Sequence, residues 1–255
     1  MRVGALEKYS DNEFPGKIAA VIYLVGCNLR CPYCFKPELL GCGPCTQVID
    51  EAVVFRHLER NLERLDGVVF SGGEPTLNED LADWMRRVRA LGLAIKLDTN
   101  GTQPECIRML LAEGLLDYIA MDVKAPLENY AQIVGKRTNV EDIRTSIWLV
   151  KHSGIAHEFR TTVVPGLHTL RELKAIAELV HGAERYVVQD FVSTRTLRPD
   201  LQGRPSFSRK PLEDLRPYVE RRVRSYQVRR STDAREMPLL SRRRPAPPPV
   251  SLAAL

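Results

Sequence analysis

The sequence predicts an α/β protein built on a parallel sheet. Two observations carry this. Short apolar runs alternate six times with stretches whose apolar positions fit one face of a helix, and the unusual polar or glycine-rich motifs fall almost always just after an apolar run. A crossover helix returns the chain to begin another strand in the same direction, so repeated strand–helix units make a parallel sheet. The C-terminal ends of such strands are where parallel α/β barrels gather their active sites. At 255 residues and 44% hydrophobic, the chain can bury one sizeable core.

The elements follow in order. Residues 1–15 read as a charged lead-in closed by an Asp-Asn-Glu turn signal. Ile18 to Val25 is continuously apolar, as a buried strand requires, and Val48 to Arg64 carries apolar residues at helical spacing. Gly67 to Phe70 is a short strand running into Ser71-Gly72-Gly73, followed by a helix over 79–91 with Leu81, Trp84, Met85 and Val88 inward. Strands at 93–97, 118–123, 158–164 and 186–192 alternate with helices at 104–113, 140–152, 170–181 and 211–222. On the strand at 118–123, Asp122 and Lys124 flank Val123 and share a face, pointing inward if Val123 meets the helices.

The stretch that stands apart is Cys27-Asn28-Leu29-Arg30-Cys31-Pro32-Tyr33-Cys34, directly after the first strand. Three thiolates in one short loop can hold three corners of a cubane iron–sulfur cluster, leaving the fourth iron without a protein ligand. An open coordination position marks a site that binds something. The competing reading is structural zinc, which needs a fourth ligand from elsewhere in the chain. Six cysteines in 255 residues are too sparse for a disulfide scaffold. Cys42-Gly43-Pro44-Cys45 reads as a surface loop, a redox pair or an auxiliary metal site, and Cys106 as core.

Downstream of the cysteines come Ser71-Gly72-Gly73-Glu74-Pro75, Asp98-Thr99-Asn100-Gly101, Asp122-Val123-Lys124 and Val163-Val164-Pro165-Gly166, in that order. Together with Tyr33 before the last cysteine of the loop, this set resembles the radical S-adenosylmethionine (SAM) enzymes. In particular it resembles the activating enzymes of glycyl-radical proteins, and most of all the anaerobic ribonucleoside-triphosphate reductase activating proteins. The resemblance covers about residues 15–200 and implies a partial (β/α)6 barrel of the radical SAM type, open on one side. It implies a [4Fe-4S] cluster on Cys27, Cys31 and Cys34, with SAM on its open iron, and chemistry carried by those two groups with no catalytic side chain. Clusters of this kind reach potentials down to about −700 mV, as reductive cleavage of a sulfonium demands.

The resemblance also assigns SAM contacts. Tyr33 would lie near the adenine, and Gly72, Gly73 and Glu74 would meet the amino group, with glycines allowing an approach that a Cβ would block. Asp98, Thr99 and Asn100 offer polar groups at the third strand end, although such residues also make turns and helix caps. Lys124 is expected to meet the SAM carboxylate. Asp122 and Asp98 would serve as a polar anchor or as ligands of a monovalent cation. Arg160 is assigned to the carboxylate or to a barrel acid. Gln189 stands near where some relatives have histidine, which leaves the ribose contacts open.

Charge points away from nucleic acid. Arg229, Arg230, Arg235, Arg242, Arg243 and Arg244, against Asp233 and Glu236, put +4 of the formal +5 into residues 229–255. The body is nearly neutral, with no basic patch interleaved with aromatics. Residues 1–228 are expected to form one catalytic domain and 229–255 a disordered Arg/Pro-rich tail. No apolar window approaches a membrane span and no leader pattern opens the chain, so a soluble cytoplasmic protein is expected. The expected reaction is reductive cleavage of SAM to methionine and a 5′-deoxyadenosyl radical, which takes a glycine Cα hydrogen from the large subunit of anaerobic ribonucleotide reductase. A low-potential donor such as flavodoxin or ferredoxin would supply the electron. The alternatives are activation of a pyruvate formate-lyase-like enzyme, a small-molecule substrate, or a non-catalytic iron–sulfur or zinc protein.

Overall fold

The computed structural model describes residues 1–41 and 48–230. Eight strands form one sheet in chain order: β1 (Val3–Ser10), β2 (Ala19–Leu24), β3 (Gly67–Gly72), β4 (Ala94–Thr99), β5 (Tyr118–Asp122), β6 (Ala156–Val163), β7 (Arg185–Asp190) and β8 (Ser225–Arg229). β1 runs antiparallel to β2, and every other neighbouring pair is parallel. The helices are α1 (Glu51–Arg60), α2 (Leu81–Ala90), α3 (Pro104–Ala112), α4 (Tyr130–Val134), α5 (Val140–Lys151), α6 (Leu170–Leu179), α7 (Arg209–Glu213) and α8 (Arg216–Val219). β2 to β7, each followed by helix, are the six expected units. β1 and β8 do not pair with each other among the described residues, so the sheet stays open on that side.

The strand pleat sorts the two faces. Ile22, Leu24, Phe70, Leu97, Met121 and Phe159 pack outward against the helices in the main core. The inner face changes character along the strands. Near their N-terminal ends Ala19, Val21, Val69, Tyr118 and Ala120 close around Phe14, with Lys96 level with Val69 and Tyr118, whereas near the C-terminal ends the inward positions are Ser71, Asp98, Asp122 and Arg160. An apolar plug below and polar side chains above leave a site at the strand ends, as parallel barrels do. Local signals agree with the helices: Asp50 caps α1, Asn139 caps α5, and Thr169 with Glu172 makes a capping box at α6.

Three elements depart from expectation. The lead-in is strand β1, whose charged residues suit a sheet edge exposed to water. The last expected helix is two short pieces, α7 and α8, the second opening at Arg216-Pro217. β8 crosses the expected tail boundary: Tyr226 and Val228 bury alternately against the core, Arg229 ends the strand, and Arg230 pairs with Asp190 at 3.0 Å. The expected disorder of the remaining tail, and the roles weighed for Cys42 and Cys45, fall outside the described residues. Cys106 packs half-buried against the main core. No helix among the described residues is long and apolar enough to cross a membrane.

Candidate active site

The cysteine loop is anchored through its backbone. Gly26, at φ 110°, turns the chain out of β2, and its N–H donates to the Leu39 carbonyl at 2.7 Å. The Arg30 N–H reaches the Val134 carbonyl at 2.9 Å, while the Arg30 guanidinium bonds the Cys27 and Leu29 carbonyls at 2.7 Å each. The Cys34 N–H closes a turn on the Cys31 carbonyl at 3.0 Å. Cys31 is buried, and Cys27 and Cys34 are half-buried. Burial pushes the Cys27 thiol up and the Cys31 thiol up to about 11, so these sulfurs need a cationic partner to be thiolates at neutral pH.

The ends of β2 and β3 close on each other through glycine. A Cβ on Gly72, at φ 114°, would lie 2.3 Å from the Leu24 nitrogen, and one on Gly73 would lie 2.0 Å from the Gly26 carbonyl oxygen. The Gly73 N–H donates to the Leu24 carbonyl at 2.9 Å, and the Glu74 N–H to the Gly26 carbonyl at 2.7 Å. The close approach that requires both glycines is therefore to the start of the cysteine loop. The Glu74 carboxylate is 1% exposed and engaged at both oxygens. Oε1 accepts from the Thr76 N–H, the Thr76 hydroxyl and the Thr99 hydroxyl, and Oε2 accepts from the Asn100 N–H at 2.6 Å. Glu74 thus ties the end of β3 to the loop after β4.

That loop makes a second polar set. The Asn100 amide donates to the Asn28 carbonyl oxygen at 3.0 Å and approaches the Cys27 Sγ at 4.0 Å, while Asn28 donates to the Thr102 hydroxyl at 2.7 Å. The Thr99 hydroxyl also accepts from the Gly101 N–H. Thr99 and Asn100 therefore serve the turn and the cysteine loop together.

The opposite wall is a chain of alternating charge across β4, β5 and β6. Lys96 Nζ lies 2.6 Å from Asp98 Oδ1, Arg160 reaches Asp98 at 3.4 Å and Asp122 at 2.8 Å, and Lys124 Nζ lies 2.8 Å from Asp122 Oδ2. The Ser71 hydroxyl donates to Asp98 Oδ2 at 2.9 Å. Three cations thus face two carboxylates. Burial alone would raise Asp98 and Asp122, but Arg160 and the lysines more than reverse this and hold both below the usual carboxylate range. Burial would likewise lower Lys124, and Asp122 keeps it well above its ordinary value. Of the two roles expected for the aspartates, this geometry is that of a polar anchor.

Tyr33 is 5% exposed, and its hydroxyl has no hydrogen-bond partner among the described residues. Its ring lies edge-on to His168, with centroids 6.1 Å apart. His168 accepts from the Val164 N–H at Nδ1 and donates from Nε2 to the Lys124 carbonyl at 2.9 Å, so one imidazole braces both residues. Gln189 donates to the Thr162 hydroxyl across the β6–β7 register at 3.0 Å. The three cysteines and all eleven residues expected to contact SAM line a single cavity of about 670 Å³.

Sequence reading missed Lys96, Ser71, Thr162 and Tyr23, which line or support this cavity, and also the arginines of its far side, Arg216, Arg229 and Arg230. A signal for Lys96 was present. It stands two residues before Asp98 on the same strand, the spacing that put Asp122 and Lys124 on one face.

The donor set fits a cubane cluster with an attached ligand. Cys27, Cys31 and Cys34 line one cavity, and a multi-iron cluster takes each thiolate on a different iron. The Tyr33 hydroxyl, without a partner among the described residues, and the surplus cation of the opposite wall suit a ligand that carries a carboxylate.

Sheet topology, three-cysteine loop and polar strand ends define an iron–sulfur α/β enzyme, and the chain belongs to the radical SAM superfamily, whose sequence profile matches residues 21–180. This family uses a [4Fe-4S] cluster and SAM, and the sheet is its partial (β/α)6 barrel. Within the family, the chain is 30% identical over 232 residues to a candidate glycyl-radical enzyme activating enzyme of Methanocaldococcus jannaschii, covering 89% of this chain and 95% of that one. It is 26% identical over 205 residues to the pyruvate formate-lyase 2-activating enzyme of Escherichia coli, covering 67% and 69% respectively. The crystal structure of Streptococcus suis SuiB bound to SAM shares the fold, with a TM-score of 0.63 at 14% identity over 83% of this chain and 49% of that one.

Proposed function

We propose that this chain is an activating enzyme that cleaves SAM reductively and installs a glycyl radical on a partner protein, the large subunit of anaerobic ribonucleotide reductase being the partner its motifs favour. The observation that carries this reading is the shared cavity: three thiols on one wall, a net-positive charged chain on the other, and an open sheet edge beside them. Cys27, Cys31 and Cys34 would hold the cluster, which with SAM supplies one-electron cleavage of a carbon–sulfur bond. The chain's own contribution is placement. Lys124 and Arg160 offer the positive charge that a methionyl carboxylate needs, the Tyr33 hydroxyl offers an unused donor, and Gln189 with Thr162 offers polar groups for a ribose. A monovalent cation at Asp98 and Asp122 would have to displace the ammonium, guanidinium or hydroxyl donors that their oxygens already meet. The catalytic unit is assigned to residues 1–230, since Arg229 and Arg230 line the cavity.

The test is an anaerobic assay of the reconstituted, reduced protein with SAM and the large reductase subunit, reading 5′-deoxyadenosine and the glycyl-radical EPR signal together. Both products support activation of that partner. Deoxyadenosine without the radical moves the substrate to a pyruvate formate-lyase-like enzyme or a small molecule. Neither product, with iron loading complete, overturns the enzymatic reading.

A further inference from the structure

Outside the cavity, three segments distant in sequence meet around the cysteine loop. On one side, the Arg30 N–H bonds the Val134 carbonyl, and Gly135, at φ 65°, passes so close that a Cβ there would lie 2.4 Å from the Arg30 carbonyl oxygen. The chain then exposes Lys136 and Arg137, for which no acidic partner is found among the described residues. On the other side, the Arg198 N–H donates to the Pro32 carbonyl at 2.9 Å, bringing Arg195, Arg198 and Arg204 alongside. Glu38 answers Arg195 at 3.1 Å, and Asp200 alone serves both Arg198 and Arg204. Glu141, just beyond, is taken by Arg144.

Six cations thus meet two carboxylates over the loop, a local excess of +4. Residues 1–230 carry +3 in total, so the positive charge of that unit is concentrated on this face. Such an arrangement orients an approaching molecule: an acidic partner is drawn to this face. We infer that this face, built around Lys136, Arg137 and Arg198 beside the cysteine loop, docks an acidic, low-potential one-electron carrier protein that reduces the cluster held by that loop. The inference rests on the proposed radical SAM function. One electron leaves the carrier's reduced cofactor and one enters the oxidised cluster, with no bond made or broken in the transfer. Sequence order conceals the face, because its charges come from residues 30, 136–137 and 195–204.

The test uses the reconstituted holoenzyme, reduced flavodoxin as the probe, and the double variant K136E/R137E, whose positions are exposed and outside the cavity. Binding of flavodoxin, measured anaerobically by biolayer interferometry, should weaken about tenfold in the variant at low salt, and added salt should narrow the difference. Cluster reduction by flavodoxin, followed by stopped flow, should slow in step, while deoxyadenosine formation driven by dithionite stays unchanged. Equal binding and equal reduction rates in variant and parent overturn the inference. So does a variant with normal flavodoxin reduction but impaired radical formation on the reductase subunit, which would assign the face to the substrate protein. Failure of the parent to cleave SAM with dithionite would count against the proposed function alone, because the binding measurement still decides the docking face.

Discussion

The two walls of the cavity are built on opposite principles. The wall from β4 to β6 is complete in itself, since each buried charge of Lys96, Asp98, Arg160, Asp122 and Lys124 meets its opposite within 3.4 Å. The cysteine wall is incomplete: the Cys27 and Cys31 thiols are pushed away from ionisation, and the Tyr33 hydroxyl has no partner among the described residues. A buried ion pair costs desolvation whether or not a ligand comes, so the charged wall is prepared in advance of binding. The cysteine wall reaches its low-energy state only when metal and ligand arrive. Preorganisation on one side and dependence on the other suit a ligand whose carboxylate meets the charged wall and whose other end meets the cluster.

The largest break in this contrast comes from the dependent wall. In Cys31→Ala, iron retention and SAM cleavage should both be abolished while the protein stays folded, as read by iron analysis, deoxyadenosine and circular dichroism; turnover in that variant would remove the cluster site. On the prepared wall, Arg160→Met removes the cation shared by two carboxylates, which keep Lys96 and Lys124, and should lower stability by about 1.5–3 kcal/mol in urea unfolding. A loss below about 1 kcal/mol, the level of an exposed pair, would show that the charged chain is not buried in solution. Lys124→Ala should weaken SAM binding about tenfold, the scale of one charge-assisted hydrogen bond, while the cluster EPR signal persists. Unchanged affinity takes Lys124 out of the ligand site.

Acid sharpens the same contrast more gently. Asp98 and Asp122 are held below the ordinary carboxylate range, so the folded state binds their protons more weakly than the unfolded chain does. The stability they contribute is complete above about pH 4 and is lost as pH falls through their lower folded values. Buried Glu74 is raised and works in the opposite sense, recovering stability as pH falls. The unfolding midpoint should therefore fall below about pH 4, and Asp122→Asn should flatten that slope.

How much of this was legible depended on the range of the signal. The cysteine ligands lie within eight residues, and the six strand–helix units each announce themselves within a short window, so both could be read directly. β1 could not, because an edge strand with Glu7 and Lys8 facing water lacks the apolar alternation of a buried one. β8 showed its alternation in Tyr226 and Val228, yet it abuts the Arg-rich tail, and composition drew the boundary inside the strand. Lys96 sat inside an apolar run, where one lysine was absorbed into the strand reading. Its partner Asp98 stands two residues along the same strand, whereas Arg160, which also meets Asp98, comes from β6, and no local pattern reports a contact across 62 residues. Thr99 and Asn100 suit both a turn and a site, and their observed bonds serve the turn and the cysteine loop.

The junction at Gly72 and Gly73 has a further consequence. Because main chain meets main chain there, the spacing between the thiol-bearing segment and the charged strands is gauged by covalent geometry, not by side chains that repack. A change on the exposed edge strand β1 would leave that gauge undisturbed. Adding a single methyl group at Gly73 would, by contrast, throw the whole instrument out of alignment.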